Sequence, residues 1–147
     1  MHKSPTILGP EQMPTSLDVL GTDIRFLVTD DSADGYHITL QSGEEGCGPP
    51  PHSHQWDEAF FVLTGEVYFT CRDRNYRCTP GTFVNVPGGE VHAFTYGKEG
   101  GRMLEITGNG SHASQLFREL NREISAEVPD LTRVSEVFQR NGVTLNL

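Results

Sequence analysis

Gly46-Cys47-Gly48-Pro49-Pro50-Pro51-His52-Ser53-His54-Gln55-Trp56-Asp57-Glu58-Ala59-Phe60-Phe61-Val62-Leu63-Thr64-Gly65 is the stretch whose reading decides the fold. Three successive prolines deliver the chain extended into His52. Residues i and i+2 of a strand share a face, so His52 and His54 can reach one ion together. Glu58 has the same parity and joins them if the backbone stays extended. His92 then arrives from another strand. Three neutral imidazoles and one carboxylate suit Fe, Ni, Mn, Co, Cu or Zn as divalent ions, and do not suit Mg or Ca. The expected metal ligands are His52, His54, Glu58 and His92.

Outward from this stretch the chain is punctuated by 16 glycines and nine prolines between short apolar segments, which predicts an all-β barrel or sandwich. Asp23 to Thr29 and Tyr36 to Gln41 read as strands. Tyr36, Ile38 and Leu40 share one face of the second. Glu58 to Thr64 and Glu66 to Cys71 read as a hairpin around Gly65, and a second hairpin turns near Arg74-Asn75. A two-residue loop there sets Cys71 opposite Cys78, either as a redox-sensitive pair or as two half-buried thiols. Thr82 to Val86, Val91 to Tyr96 and Arg102 to Thr107 complete the strands. From Ser114 the apolar spacing becomes helical at Leu116, Phe117, Leu120 and Ile124, with Ser111 or Ser114 as N-cap. Asp130 caps a second helix through Leu131, Val134, Val137 and Phe138, and Asn141-Gly142 stops it. Val143, Leu145 and Leu147 alternate as a short strand does.

The spacing of these residues resembles the two signature motifs of the cupin superfamily. Gly46, His52, His54, Glu58 and Gly65 match the first. Gly81, Pro87-Gly88-Gly89, His92 and Tyr96 match the second, except that the family usually has Asn where Tyr96 stands. Nearly the whole chain is similar to single-domain bacterial cupins of the quercetin dioxygenase-like kind, notably in Asp34-Gly35-Tyr36 and in Pro87 to Phe94. The resemblance implies an all-β double-stranded β-helix (a jelly-roll barrel) with one or two short C-terminal helices. It implies one domain over residues 1–147, with a barrel core at about 21–110 and a helical extension at about 111–142. In the similar quercetin dioxygenases the glutamate matching Glu58 touches the metal and accepts the substrate hydroxyl proton.

Parity puts Glu58, Phe60 and Val62 on one face and His92, Phe94 and Tyr96 on another. If the ligands point inward, Phe60, Val62 and Phe94 line a substrate pocket with Trp56 at its lip, or else simply pack the barrel. Tyr96 is either a catalytic proton donor beside Glu58 or a bulky plug. His2, His37 and His112 have no motif around them and read as hydrogen-bonded or solvated histidines. The expected function is a metal-dependent dioxygenase for a small aromatic or enolisable substrate, with O2 as co-substrate. The alternatives are a non-oxidative isomerase or lyase, and a ligand-binding cupin without turnover.

Eleven basic against 20 acidic residues, a formal charge of −9, argue against nucleic acid and against an anionic membrane surface. No apolar run approaches the roughly 20 residues of a transmembrane helix, and Met1-His2-Lys3-Ser4-Pro5 lacks an apolar signal core. The chain reads as cytoplasmic, its three cysteines as reduced thiols. Open sheet edges and the apolar tail Val143–Leu147 predict a homodimer.

Overall fold

Two long strands carry the architecture, and each is bent by glycine. The computed structural model describes residues 2–125 and 127–147. Met1, at the N-terminus read for a signal, and Ala126, inside the expected helical extension, lie outside the described residues. The strands are β1 (Leu17–Val19), β2 (Thr22–Val28), β3 (Tyr36–Gly43), β4 (His52–Ser53), β5 (Glu58–Cys71), β6 (Arg74–Cys78), β7 (Phe83–Val86), β8 (His92–Gly108) and β9 (Thr144–Leu145). Two helices, α1 (Ala113–Glu123) and α2 (Leu131–Arg140), lie between β8 and β9. The strands form one hydrogen-bonded sheet ordered β1-β2-β3-β8-β4-β9, with β5 pairing β6, β7 and β8. It curls into the expected double-stranded β-helix.

Gly65 is not the hairpin turn that the sequence predicts. Gly65 has positive φ, +73°, but the residues on both sides of it belong to one strand paired with β8. The strand instead runs on through it, with register shifts on either side, between Val62 and Thr64 and between Gly65 and Val67. A Cβ here would sit 2.1 Å from the Gly100 carbonyl oxygen of β8. Glycine lets two backbones touch at the bend. The true tight turn is Arg72-Asp73, with φ of +48° and +63°, so Cys71 pairs with Arg74 and Cys78 with Val67. The two cysteines are therefore not opposite each other. All three cysteines are free thiols.

Two apolar clusters hold the molecule. One fills the barrel around Phe60, Val62, Val67, Phe69, Phe94, Tyr96 and Met103, where the rings of Phe60, Phe69 and Phe94 pack tilted or edge-on at centroid distances of 5.1 to 5.4 Å. The other clamps both helices onto β1 and β2 through Ile24, Leu116, Leu120, Val137, Phe138 and Val143. The Ser111 hydroxyl accepts from the Ala113 amide at the start of α1. Asp130 caps α2 by accepting from Thr132 and Arg133. Asn141 is the C-cap, and Gly142 at φ +77° turns the chain out of the helix. The tail then pairs with the chain's own β4, Leu145 against His52, where the sequence made it a candidate for dimer pairing. On β3 the deeply buried run is His37, Thr39 and Gln41, while Tyr36 is exposed. The barrel interior beside the site is thus polar. No helix among the described residues is long and apolar enough to cross a membrane.

Gly65→Ala should lower stability by at least about 1–3 kcal/mol, from strain at positive φ plus the backbone clash. Gly81→Ala, also at positive φ but with nothing within 4 Å, should cost less. Denaturant unfolding of the two variants measures the difference, and equal losses would place no contact cost at Gly65.

Candidate metal centre

Each ligand is delivered by a strand start or by the turn beside one. His52 opens β4 and His92 opens β8, and the two are direct cross-strand partners. His54 follows β4. The chain does not stay extended from there: residues 55–56 bend, and Glu58 reaches the group as the first residue of β5. Gly88 makes the approach possible, since a Cβ on it would lie 2.2 Å from the Gln55 carbonyl oxygen. The Asp57 carboxylate accepts from the Gly88 amide at 2.9 Å, and the His54 carbonyl accepts from Gly89 at 2.7 Å. These bonds lock the two motif loops together.

The four ligand atoms of His52, His54, Glu58 and His92 all lie within 4.8 Å of one another, and all four residues are buried. Every histidine is oriented by the main chain. Nδ1 of His52 meets the Pro50 carbonyl at 2.8 Å, that of His54 the Trp56 carbonyl at 2.9 Å, and that of His92 the Glu90 carbonyl at 3.0 Å. With Nδ1 donating, each neutral ring turns an Nε2 lone pair inward, which is how outer partners set up metal-binding histidines. Nε2 of His54 and of His92 both stand 3.0 Å from Glu58 Oε2. Acceptor against acceptor is unfavourable without a cation between them. Two ligand atoms at a right angle, each about 2.1 Å from one ion, lie about 3.0 Å apart. The donor set therefore fits a divalent transition metal.

The surroundings set the charges. Burial, then the neighbouring His92, pulls His52 down to about 4. Burial alone would raise the Glu58 carboxyl, but in metal-free protein rings of His54 and His92 that carry a proton on Nε2 donate to it, and these contacts outweigh burial and hold the group below the usual carboxylate range. Burial, followed by the charge on Glu58, pushes Glu105 well above that range. Trp56 stacks flat on His54, centroids 4.2 Å apart at 7°.

A cavity of about 70 Å³ opens on the centre. His52, His54, Glu58, Gln41 and Glu105 line one side, and helix residues such as Leu116 and Leu120 line the other. Trp56 and Phe94 reach it, as the sequence predicts. Phe60, Val62 and Tyr96 do not: each is at most 1% exposed, in the filled part of the barrel. Alternation put them on the inner face correctly, but that face is packed solid beyond the ligands. The Tyr96 ring covers Gly43, where a Cβ would lie 2.4 Å from it, and its hydroxyl has no hydrogen-bond partner. His37 binds Asp30, 2.6 Å away, and stands outside the cluster. Sequence reading missed Glu105 and Gln41. The signal was there: Met103, Glu105 and Thr107 alternate on β8, all buried, but a lone glutamate in a strand reads as solvent-facing.

Elemental analysis should find about one divalent transition metal per chain, and His52→Ala and His92→Ala should lose it. Trp56 is the single tryptophan, so adding metal to chelated protein should change its fluorescence through the His54 stack. In metal-free protein the His52 ring should titrate near 4 by NMR. Its folded value lies below that of a free imidazole, so the stability it contributes is complete above about pH 6.5 and is lost as pH falls toward 4. A His52 midpoint near 6.5 would contradict this burial.

Comparison with known proteins agrees on the fold. Residues 36–107 match the family model described as cupin domain. No curated protein sequence matches the chain. Among solved structures it is similar to the polyketide cyclase RemF from Streptomyces resistomycificus, at 24% identity and TM-score 0.63 over 71% of this chain and 80% of that one. It is similar to KdgF from Halomonas sp., at 12% identity and TM-score 0.64 over 71% and 94%. An RmlC-like cupin from Shewanella frigidimarina gives 17% identity and TM-score 0.64 over 75% and 96%. At these identities the likeness is one of fold. The chain therefore has the cupin fold, and the stretch that matches the cupin domain model, residues 36–107, contains His52, His54, Glu58 and His92.

Proposed function

We propose that the protein is a metal-dependent enzyme acting on a small aromatic or enolisable substrate, with dioxygenation as its reaction. The observation that carries the metal-dependent part is the convergence of His52, His54, Glu58 and His92 on one another, the first three of them lining a cavity whose remaining wall is largely apolar. The dioxygenase part is supported by the resemblance of the motifs to quercetin dioxygenase-like cupins. A divalent transition ion held there would polarise a substrate oxygen, and a redox-active one would also bring O2 to it. Glu58 takes the substrate hydroxyl proton, and the apolar wall excludes water. Tyr96 closes the barrel and takes no part in the chemistry.

A second reading, a non-oxidative isomerase, lyase or cyclase, draws on one observation. Glu105 puts a second buried carboxyl on the cavity that Glu58 lines, which suits proton transfer between carbon and oxygen. The three free thiols suit a reducing, cytoplasmic setting. Phe61 and Phe83, cross-strand partners exposed on β5 and β7, suit burial against a second copy.

O2 uptake with substrate turnover supports the first reading, and turnover with no O2 uptake replaces it with the second. Glu58→Gln should keep much of the metal, because three imidazoles remain, while turnover falls about 10²–10⁴-fold with the general base. Undiminished turnover would remove Glu58 from the chemistry. Tyr96→Phe should be nearly silent in kcat, and a loss as large as that of Glu58→Gln would restore Tyr96 as a proton donor. Light scattering should show a species of twice 16.3 kDa, and a monomer alone at micromolar concentration rejects the dimer.

A further inference from the structure

The ligand set leaves one buried carboxyl unused. Glu105 is 4% exposed. Its direct cross-strand partner Thr39 donates from Oγ1 to Glu105 Oε1 at 3.0 Å, and Gln41 Nε2 donates to that same hydroxyl at 3.1 Å. Glu105 and Gln41 line the cavity, while Thr39 braces Glu105 from outside it. A carboxyl offers about four acceptor positions. Thr39 fills one. Among the described residues no lysine or arginine lines the cavity. A buried carboxyl with spare capacity and no cationic partner is unfavourable on its own. The partner it lacks is one that arrives through the cavity.

The opposite wall specifies the rest of that partner. Ile24, Leu116, Phe117, Leu120 and Phe138 make it apolar. An occupant thus needs an oxygen-rich head at the metal ligands and an apolar body against α1. We propose that Glu105, with Gln41 beside it, is a hydroxyl-binding subsite that sets substrate specificity. It takes a hydroxyl standing next to the oxygens that meet the metal. The substrate class is a polyhydroxylated aromatic or enediol with one hydroxyl more than metal chelation uses. A carboxyl in either protonation state can accept from that hydroxyl. This inference rests on the metal-dependent reading above.

Catechol and pyrogallol test it, because they differ by the one hydroxyl in question. Metal-loaded protein is titrated with each, without oxygen, by calorimetry. Pyrogallol should bind at least about 10-fold tighter, the worth of one good hydrogen bond in a dry site. In Glu105→Leu the two should bind alike. Gln41→Met should narrow the preference in the same direction, and it carries the test if Glu105→Leu does not fold. Equal binding of the two phenols to the wild-type protein overturns the subsite, as does a preference that survives in both variants. Loss of metal from Glu105→Leu, with Gln41→Met keeping the full preference, would make Glu105 a brace for Glu58 and also overturn it. Failure of both phenols to bind metal-loaded protein, or failure to load metal, rejects the metal-dependent reading itself and the subsite with it.

Discussion

The contact between Glu58 and His92 is the constraint on which the rest of the structure depends. In the β5–β8 ladder Glu58 pairs with Thr107 at one end, and His92 pairs with Cys71 at the other. A flat ladder would hold these ends about 43 Å apart, at roughly 3.3 Å for each of the intervening steps. They meet at 3.0 Å. The sheet must therefore curl back on itself, and it does so where Gly65 faces Gly100–Gly101, a Cβ on Gly65 lying 2.1 Å from the Gly100 carbonyl oxygen. Strand curvature and ligand assembly are one event in this fold.

The curl also explains why the barrel is filled on one side of the ligands and open on the other. Toward Tyr96 the two walls close on Phe60, Phe69 and Phe94, and Tyr96 lies against Gly43 and Gly101 as a stopper. Toward the helices the walls diverge. There α1, α2 and Val143 complete the enclosure with their own apolar cluster. The cavity lies between the two clusters, and the tail that follows α2 pairs with the strand carrying His52. The C-terminal helices are thus part of the site's wall as well as part of the core.

Inside that enclosure polarity is concentrated rather than spread. Main-chain carbonyls fix three imidazoles, and the side chains of β3 and β8 fix a second carboxyl beside the first. In a region of low dielectric such groups interact strongly with whatever enters. Two carboxyls on one wall with no basic side chain opposite leave a field that a cation and a hydroxyl-bearing ligand complement.

The ligand set was legible in the amino-acid sequence because its information is local. His52 and His54 are two residues apart, prolines hold their approach, and His92 follows a Pro-Gly-Gly turn, so parity and turn chemistry were enough for the histidines, while Glu58 arrives through the bend at residues 55–56 that extended parity did not foresee. The helix cap at Asp130 and the stop at Asn141-Gly142 were legible for the same reason, whereas the N-cap of α1 is His112, between the two serines the sequence offers, and makes no side-chain cap. The barrel bends were not. Gly65 reads as a hairpin turn until the Gly100 backbone is brought against it from 35 positions away. Glu105 was hidden because alternation places a side chain on one face without saying whether that face is core, cavity or solvent. Phe60, Val62 and Tyr96 share the inward face of their strands with the ligands, yet they are packed while His52 and Glu58 look onto open space. Periodicity within one strand determined which way each side chain points. Only the closure of distant strands and helices around it decided what that side chain meets.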